Sequence, residues 1–200
     1  MCGQKYREES TNKSFLSLCL FCDGTPMVKS KNLSLWVMFA SVLELPQKVR
    51  ESKNNMLVLS FLVGTLENFN EWVRRVADSY KNLFDGNTKI DNYTARLFCG
   101  IFDLPARAKA MNMISHNGYF ACIHCLAPGE YENNTIYPIT VCEFRDDKCI
   151  KKAIKAAFKL NESSRTKNKT VLGLKRKSAL SKYINIRTDV VYDYMHLCCE

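Results

Sequence analysis

The chain has 200 residues, 46% of them hydrophobic, and a formal net charge of +9. That length supports one ordinary domain with a sizeable core and excludes two full domains joined by linkers. No apolar run approaches the roughly 20 residues of a membrane span, and the polar start MCGQKYREESTNKS has no apolar signal-peptide core.

Residues 1–14 read as a disordered N-terminus. Residues 15–22, FLSLCLFC, are almost wholly apolar and too short for an ordinary helix, which predicts a strand buried on both faces. Asp23-Gly24 signals a turn and leaves a carboxylate at the strand's exit. Leu33 to Leu45, closed by Pro46, predicts a second strand, and Met56 to Val63 a third that ends at Gly64. The short connections suggest an antiparallel meander.

From Leu66 to Phe84 the period changes. Phe69, Trp72, Val73, Val76, Tyr80, Leu83 and Phe84 recur at three- and four-residue spacing, which predicts one helix with an apolar face. Asp85-Gly86 ends it. YTARLFCGIF, residues 93–102, predicts a fourth strand with Asp103 at its exit. The intervening crossover helix permits this strand to lie parallel to the first. The predicted fold class is therefore α/β: three antiparallel strands, a crossover helix and a fourth strand parallel to the first. This is the order of a ribonuclease H-like mixed sheet, in which the first and fourth strands are neighbours and Asp23 and Asp103 converge.

Beyond Cys125 the pattern is turn-rich, with one short strand expected near Ile139. The core with its knuckle is expected to span residues 15–146. Asp147 to Leu160 predicts a basic amphipathic helix with Ile150, Ile154, Ala157 and Phe158 on its apolar face, followed by a flexible polar segment to residue 182. Residues 183–200 form a last stretch ending in TDVVYDYMHLCCE.

Three constellations carry chemistry. Two carboxylates a few ångströms apart suit Mg²⁺, a hard cation that takes oxygen ligands, and a pair of such ions can clamp both oxygens of a phosphodiester displacement. Asp23 and Asp103 stand where that role needs them, although each also fits a plain turn or helix-cap role. Asp85, Asp91 and Asp193 are further acids of the same kind. Cys122-Ile123-His124-Cys125 has zinc-like spacing and supplies half of a tetrahedral site; His196 is the leading candidate to extend it, with His116 and His124 behind. A redox pair or two chance cysteines are the other readings. The chain holds ten cysteines, several inside apolar runs where a thiol packs as a small hydrophobe, so reduced intracellular thiols are expected.

The third constellation is charge. Residues 151–182 hold eleven Lys and Arg against one acid, Glu162, a net +10. Lys151, Lys152, Lys155, Lys159, Lys175, Arg176 and Lys177 are the cations expected to meet a polyanion, with DNA as the expected partner. Leu174 to Lys177 also fits a nuclear-localisation patch. A solvated charged face is the plainer alternative.

LFCDGTPMVKSKNLSLWVMFASVLELP, ARLFCGIFDLPARAKAMNMISHNGYFACIHC and DVVYDYMHLCCE occur in this order. Together they resemble the catalytic core of CACTA (En/Spm-type) DNA transposases, over residues 15–130 and 186–200. The resemblance implies a ribonuclease H-like core with an Asp-Asp-Glu triad and two Mg²⁺ ions, Asp23 and Asp103 being the first two acids. It also implies a Zn²⁺ site holding Cys122, Cys125 and His196, a nuclear location and a homo-oligomer in the intact family. The implied reaction is hydrolysis of a phosphodiester followed by attack of the freed 3′-OH on target DNA. Measured against that pattern the core is incomplete at the C-terminus. The third acid, the second zinc histidine and an N-terminal DNA-binding domain have no counterpart, and Glu200 is poorly placed as that acid. The expectation is thus a truncated core inactive in strand transfer, the sheet's fifth strand and the helix covering one face missing or improvised, and apolar surface exposed. A non-enzymatic zinc- and nucleic-acid-binding remnant of a transposable element is the alternative; a redox or zinc module with no nucleic-acid partner is a third. Neither a membrane nor a small-molecule substrate is expected.

Overall fold

Hydrophobic patterning of this kind buries best in a sheet covered by a helix, and the computed structural model has that arrangement. It describes residues 15–28, 33–64, 69–137, 141–163 and 169–193. Two compact units divide the chain: Met1–Ala106 with Ala179–Glu200, and Arg107–Ser178.

The first unit is a mixed sheet. β1 (Phe15–Val28), β2 (Leu33–Val42) and β3 (Leu57–Gly64) form the antiparallel meander, joined by the short α1 (Gln47–Arg50) and one 3₁₀ turn. α2 (Phe69–Ser79) and the one-turn α3 (Lys81–Phe84) follow, then β4 (Asp85–Ile90) and β5 (Tyr93–Phe102). β5 lies parallel to β1, with Cys19 opposite Cys99 and Cys22 opposite Phe102. The sheet order is β3-β2-β1-β5-β4. The mixed α/β class and the parallel pairing of the first strand with the strand after the crossover helix agree with the sequence reading.

Four features differ from it. β1 does not stop at Asp23-Gly24; it continues to Val28, paired with β2 alone, because Gly24 leaves room for Trp36, whose ring a Cβ would meet at 2.6 Å. Tyr80 (φ −100°, ψ 19°) divides the expected helix into α2 and α3. β4 is an additional edge strand, antiparallel to β5. A three-residue β8 (Val190–Tyr192) pairs parallel with the second half of β5 and makes the sheet six-stranded.

The packing follows the apolar stripe of α2. Phe69, Trp72, Val73, Val76 and Ala77 are buried, and Phe69 meets Trp36 edge to face with centroids 5.0 Å apart. Trp72 Nε1 donates to Ser60 Oγ at 2.9 Å and Tyr80 Oη to the Leu59 carbonyl at 2.8 Å, which ties the helix to β3. Cys19, Cys22 and Cys99 are buried thiols, in keeping with a packing role. On the edge strand β3, Val58, Phe61 and Val63 are exposed.

The second unit begins within α4 (Leu104–Ala110) and holds the hairpin β6 (Glu130–Glu132) and β7 (Asn134–Ile136), then the long α5 (Asp147–Glu162). Residues 169–178 are not a loose tail. Leu174 is fully buried, Ser178 Oγ donates to the Ala110 carbonyl at 2.6 Å, and Ile114 N–H donates to the Gly173 carbonyl at 2.8 Å. Gly173 (φ +75°) is required there, since a Cβ would sit 2.2 Å from the Phe120 carbonyl oxygen. The strand expected near Ile139 and the N-terminal 14 residues lie outside the described residues. Among the described residues no helix is long and apolar enough to cross a membrane.

Candidate carboxylate site and cysteine knuckle

Strand register determines which acids meet. β1 and β5 are in register up to Cys22 and Phe102, and β5 and β8 up to Phe102 and Tyr192. The next residue on each strand is an aspartate: Asp23, Asp103 and Asp193. Three parallel segments, each about 4.8 Å from its neighbour, therefore present an acid at the same level with Asp103 in the middle. The Asp193 N–H donates to the Phe102 carbonyl at 3.2 Å, which continues the β8–β5 ladder one residue further.

Each flanking feature has a local cause. Asp103 is the N-cap of α4: its Oδ1 accepts the Ala106 N–H at 2.6 Å, with Pro105 in the first turn. Asp23 Oδ1 accepts the adjacent Gly24 N–H at 2.7 Å. β8 is held beside β5 by the turn before it. Buried Asp189 accepts the Asn185 N–H at 3.0 Å and the Thr188 hydroxyl at 2.8 Å, while its carbonyl accepts the Gly100 N–H at 2.9 Å. Thus Asp23 and Asp103 do come to neighbouring strands, as the strand order implied, yet one oxygen of each is engaged by a backbone N–H. Among the described residues no group of three or more His, Cys, Asp or Glu is positioned to hold a metal ion.

No known family model matches this chain, nor does any curated protein. What the arrangement can do must therefore be argued from its own residues. Carboxylate oxygens from three adjacent parallel segments are the donor type that a hard divalent cation takes.

The knuckle lies in the second unit and is organised by an arginine that sequence pattern did not single out. Arg145 is 1% exposed. Its Nε donates to the Cys122 and Cys125 carbonyls at 2.9 and 2.8 Å, and Nη2 donates to the Phe120 carbonyl at 3.0 Å. Its own N–H donates to the His124 carbonyl at 2.8 Å, and the Leu126 N–H donates to the Glu143 carbonyl at 2.9 Å, so residues 124–126 run antiparallel to 143–145. Tyr137 braces the approach, its hydroxyl donating to the Gly118 carbonyl and accepting the Ala121 N–H. The His124 N–H donates to Cys122 Sγ at 3.4 Å. Burial pushes the Arg145 guanidinium below its ordinary pKa, and Cys149, Cys122, Cys125 and Tyr137 act in the opposite sense.

Cys122 and Cys125 are half-buried thiols, the kind of soft donor a Zn²⁺ site would use; His196 lies outside the described residues. Of the cations, Lys151, Lys152, Lys155 and Lys159 are exposed along α5, Lys175 is half-buried, and Arg176 and Lys177 are exposed on the segment after the Val171–Leu174 turn. Burial, and secondarily the charge of Arg176, lower the pKa of Lys175.

Proposed function

We propose that this protein is a transposase-derived domain of the CACTA type, with a ribonuclease H-like core that binds DNA in the nucleus. In this reading the core belongs to a lineage of divalent-cation-dependent phosphodiester cleavage and strand transfer. The alignment of Asp23, within β1 where its parallel pairing stops, with Asp103 and Asp193, which directly follow β5 and β8, carries the reading. The sheet order, with the meander antiparallel and β5 and β8 parallel to β1, supports the fold assignment. Asp193 takes the place of the third acid, at a strand end rather than on a following helix.

The residues that would hold Mg²⁺ are Asp23, Asp103 and Asp193. Bound there, such ions would neutralise the attacking and leaving oxygens of a phosphodiester. The protein's own part is positional. The α4 cap fixes Asp103 through one oxygen, the β8 turn fixes the level of Asp193, and β1 carries Asp23 past its parallel partner. Cys122 and Cys125 would contribute two thiolates to Zn²⁺, with His196 as a further ligand, and the cations of residues 151–177 would track the DNA backbone. A homo-oligomer fits the intact family.

Calorimetric titration of the full chain with Mn²⁺ tests the carboxylate site. We expect weak binding that Asp103→Asn and Asp193→Asn each abolish, and no strand transfer by this chain alone. Absence of Mn²⁺ binding would refute the cation site. It would favour a second reading, a non-enzymatic zinc- and nucleic-acid-binding remnant.

A further inference from the structure

The second unit contains an open cavity of about 550 Å³ lined by Phe158, Asn161, Glu162, Lys175 and Arg176. Its size lies within the roughly 300–1,000 Å³ of ligand sites. Three features of its walls suggest the chemistry of an occupant.

Phe158 is the first. The buried stripe of α5 is Ile150, Ala153 and Ala157, and Phe158, expected on that stripe, is 56% exposed. At 3.6 residues per turn, Phe158 projects within about 20° of Lys151 and about 60° of Lys155. An aromatic ring with no core to enter stands on the cationic side of the helix.

The second is charge. Lys175 and Arg176 are consecutive cations at the cavity, and the loss of solvent around Lys175 leaves its charge poorly compensated. Among the described residues Glu162 is the acid in the lining, a carboxylate that would accept from the amino edge of a ligand and repel its phosphate.

The third is rigidity. Asn161 Nδ2 donates to the Ala157 and Lys169 carbonyls at 2.7 and 2.8 Å, and its Oδ1 accepts the Lys169 N–H at 2.9 Å. The Lys175 N–H donates to the Asn112 carbonyl at 3.0 Å, and Asn112 Nδ2 to the Lys177 carbonyl at 3.2 Å. Both walls are pinned before any ligand arrives.

We propose that this cavity takes one nucleotide of a single strand, its base stacked on Phe158 and its phosphate held by Lys175 and Arg176. A stacking platform needs an unpaired base, whereas a duplex offers only its phosphates to the same cations. The lysines of α5 carry the strand on either side of the site. This deepens the reading of the second unit as a nucleic-acid surface and is independent of the carboxylates.

Fluorescence anisotropy on the full chain tests it, using a labelled mixed-sequence single strand, the matching duplex and a mononucleotide. Wild type is expected to prefer the single strand over both. Phe158→Ala should weaken single-strand binding roughly tenfold or more and leave duplex binding unchanged, and Phe158→Trp should restore it. Combined Lys175→Gln and Arg176→Gln should weaken both, lowering the single-strand salt slope by about 1.4. Single-strand affinity unchanged by Phe158→Ala, with salt-dependent duplex binding intact, overturns the nucleotide site and leaves the DNA-binding reading standing. No binding to any nucleic acid overturns both, and a mononucleotide bound as tightly as the strand overturns the single-strand assignment.

Discussion

Replacing Arg145 by methionine would remove a guanidinium that satisfies three carbonyls of the knuckle while keeping an unbranched apolar stem. The lost bonds run to the Phe120, Cys122 and Cys125 carbonyls at 2.8–3.0 Å. Hydrogen bonds from a charged donor contribute roughly 1.5–3 kcal/mol each, which sets the ceiling. Burying a group that is 1% exposed offsets part of that gain, and each buried carbonyl left unpaired costs roughly 1–3 kcal/mol. We therefore expect Arg145→Met to destabilise the second unit by about 3–5 kcal/mol. Arg145→Lys should fall between, because a single ammonium cannot reproduce the planar fork. Urea unfolding of the full chain, followed by thiol reactivity at Cys122 and Cys125 and by hydrogen exchange at the Arg145 and Leu126 amides, gives the readout. If Arg145→Met stays within about 1 kcal/mol of wild type, with exchange unchanged, the carbonyl-satisfaction argument is wrong.

Gly24→Ala would bring a Cβ to 2.6 Å from the Trp36 ring, and overpacking of this kind costs roughly 1–3 kcal/mol; a melting temperature equal to wild type would show that the ring moves freely. Asp189→Ala should cost about 2 kcal/mol and speed exchange at the Gly100 amide, whose acceptor is the Asp189 carbonyl; unchanged exchange there would separate the turn from the placement of β8. The Arg74 and Arg75 side chains hold the Glu71 carboxyl down at about 2, against an ordinary 4.5. A depressed carboxylate stabilises above its unfolded pKa, and the contribution fades as pH falls from about 4.5 toward 2. Glu71→Gln should therefore lower the melting temperature slightly at pH 7, slightly because the pair is exposed, and not at all near pH 2. A deficit that persists in acid would assign the effect to helix propensity.

Much of the sheet was legible because β1, β2, β3 and β5 are apolar runs bounded by turn residues, and α2 has a clear 3.6-residue stripe. β4, DGNTKI, carries no such run: as an edge strand it owes its place to pairing with β5, which no local pattern announces. β8 is three residues long, below any periodicity. Its partner lies about 90 residues earlier, at Gly100–Phe102. Phe158 was misplaced for the opposite reason. Period alone put it beside Ile154, yet small Ala153 and Ala157 close that face against the rest of the unit and leave the ring outside.

The carboxylate site shows the same division between local and long-range information. Asp23 and Asp103 could be paired from the sequence because each follows an apolar run and a crossover helix makes those runs parallel. Asp193 could not be ranked above Asp85 or Asp91, since its level is fixed only by the Gly100–Val190 register. That register in turn depends on Asp189, a buried acid whose work is to close the Asn185–Asp189 turn. Two acids four residues apart thus hold separate offices: one sets where the last strand starts, and that start sets where the other ends. A shift of β8 by one residue would move Asp193 off the level of Asp103 and reverse the faces of Val191 and Tyr192. The turn residues 185–189 are therefore as decisive for the proposed chemistry as the aspartate that would perform it.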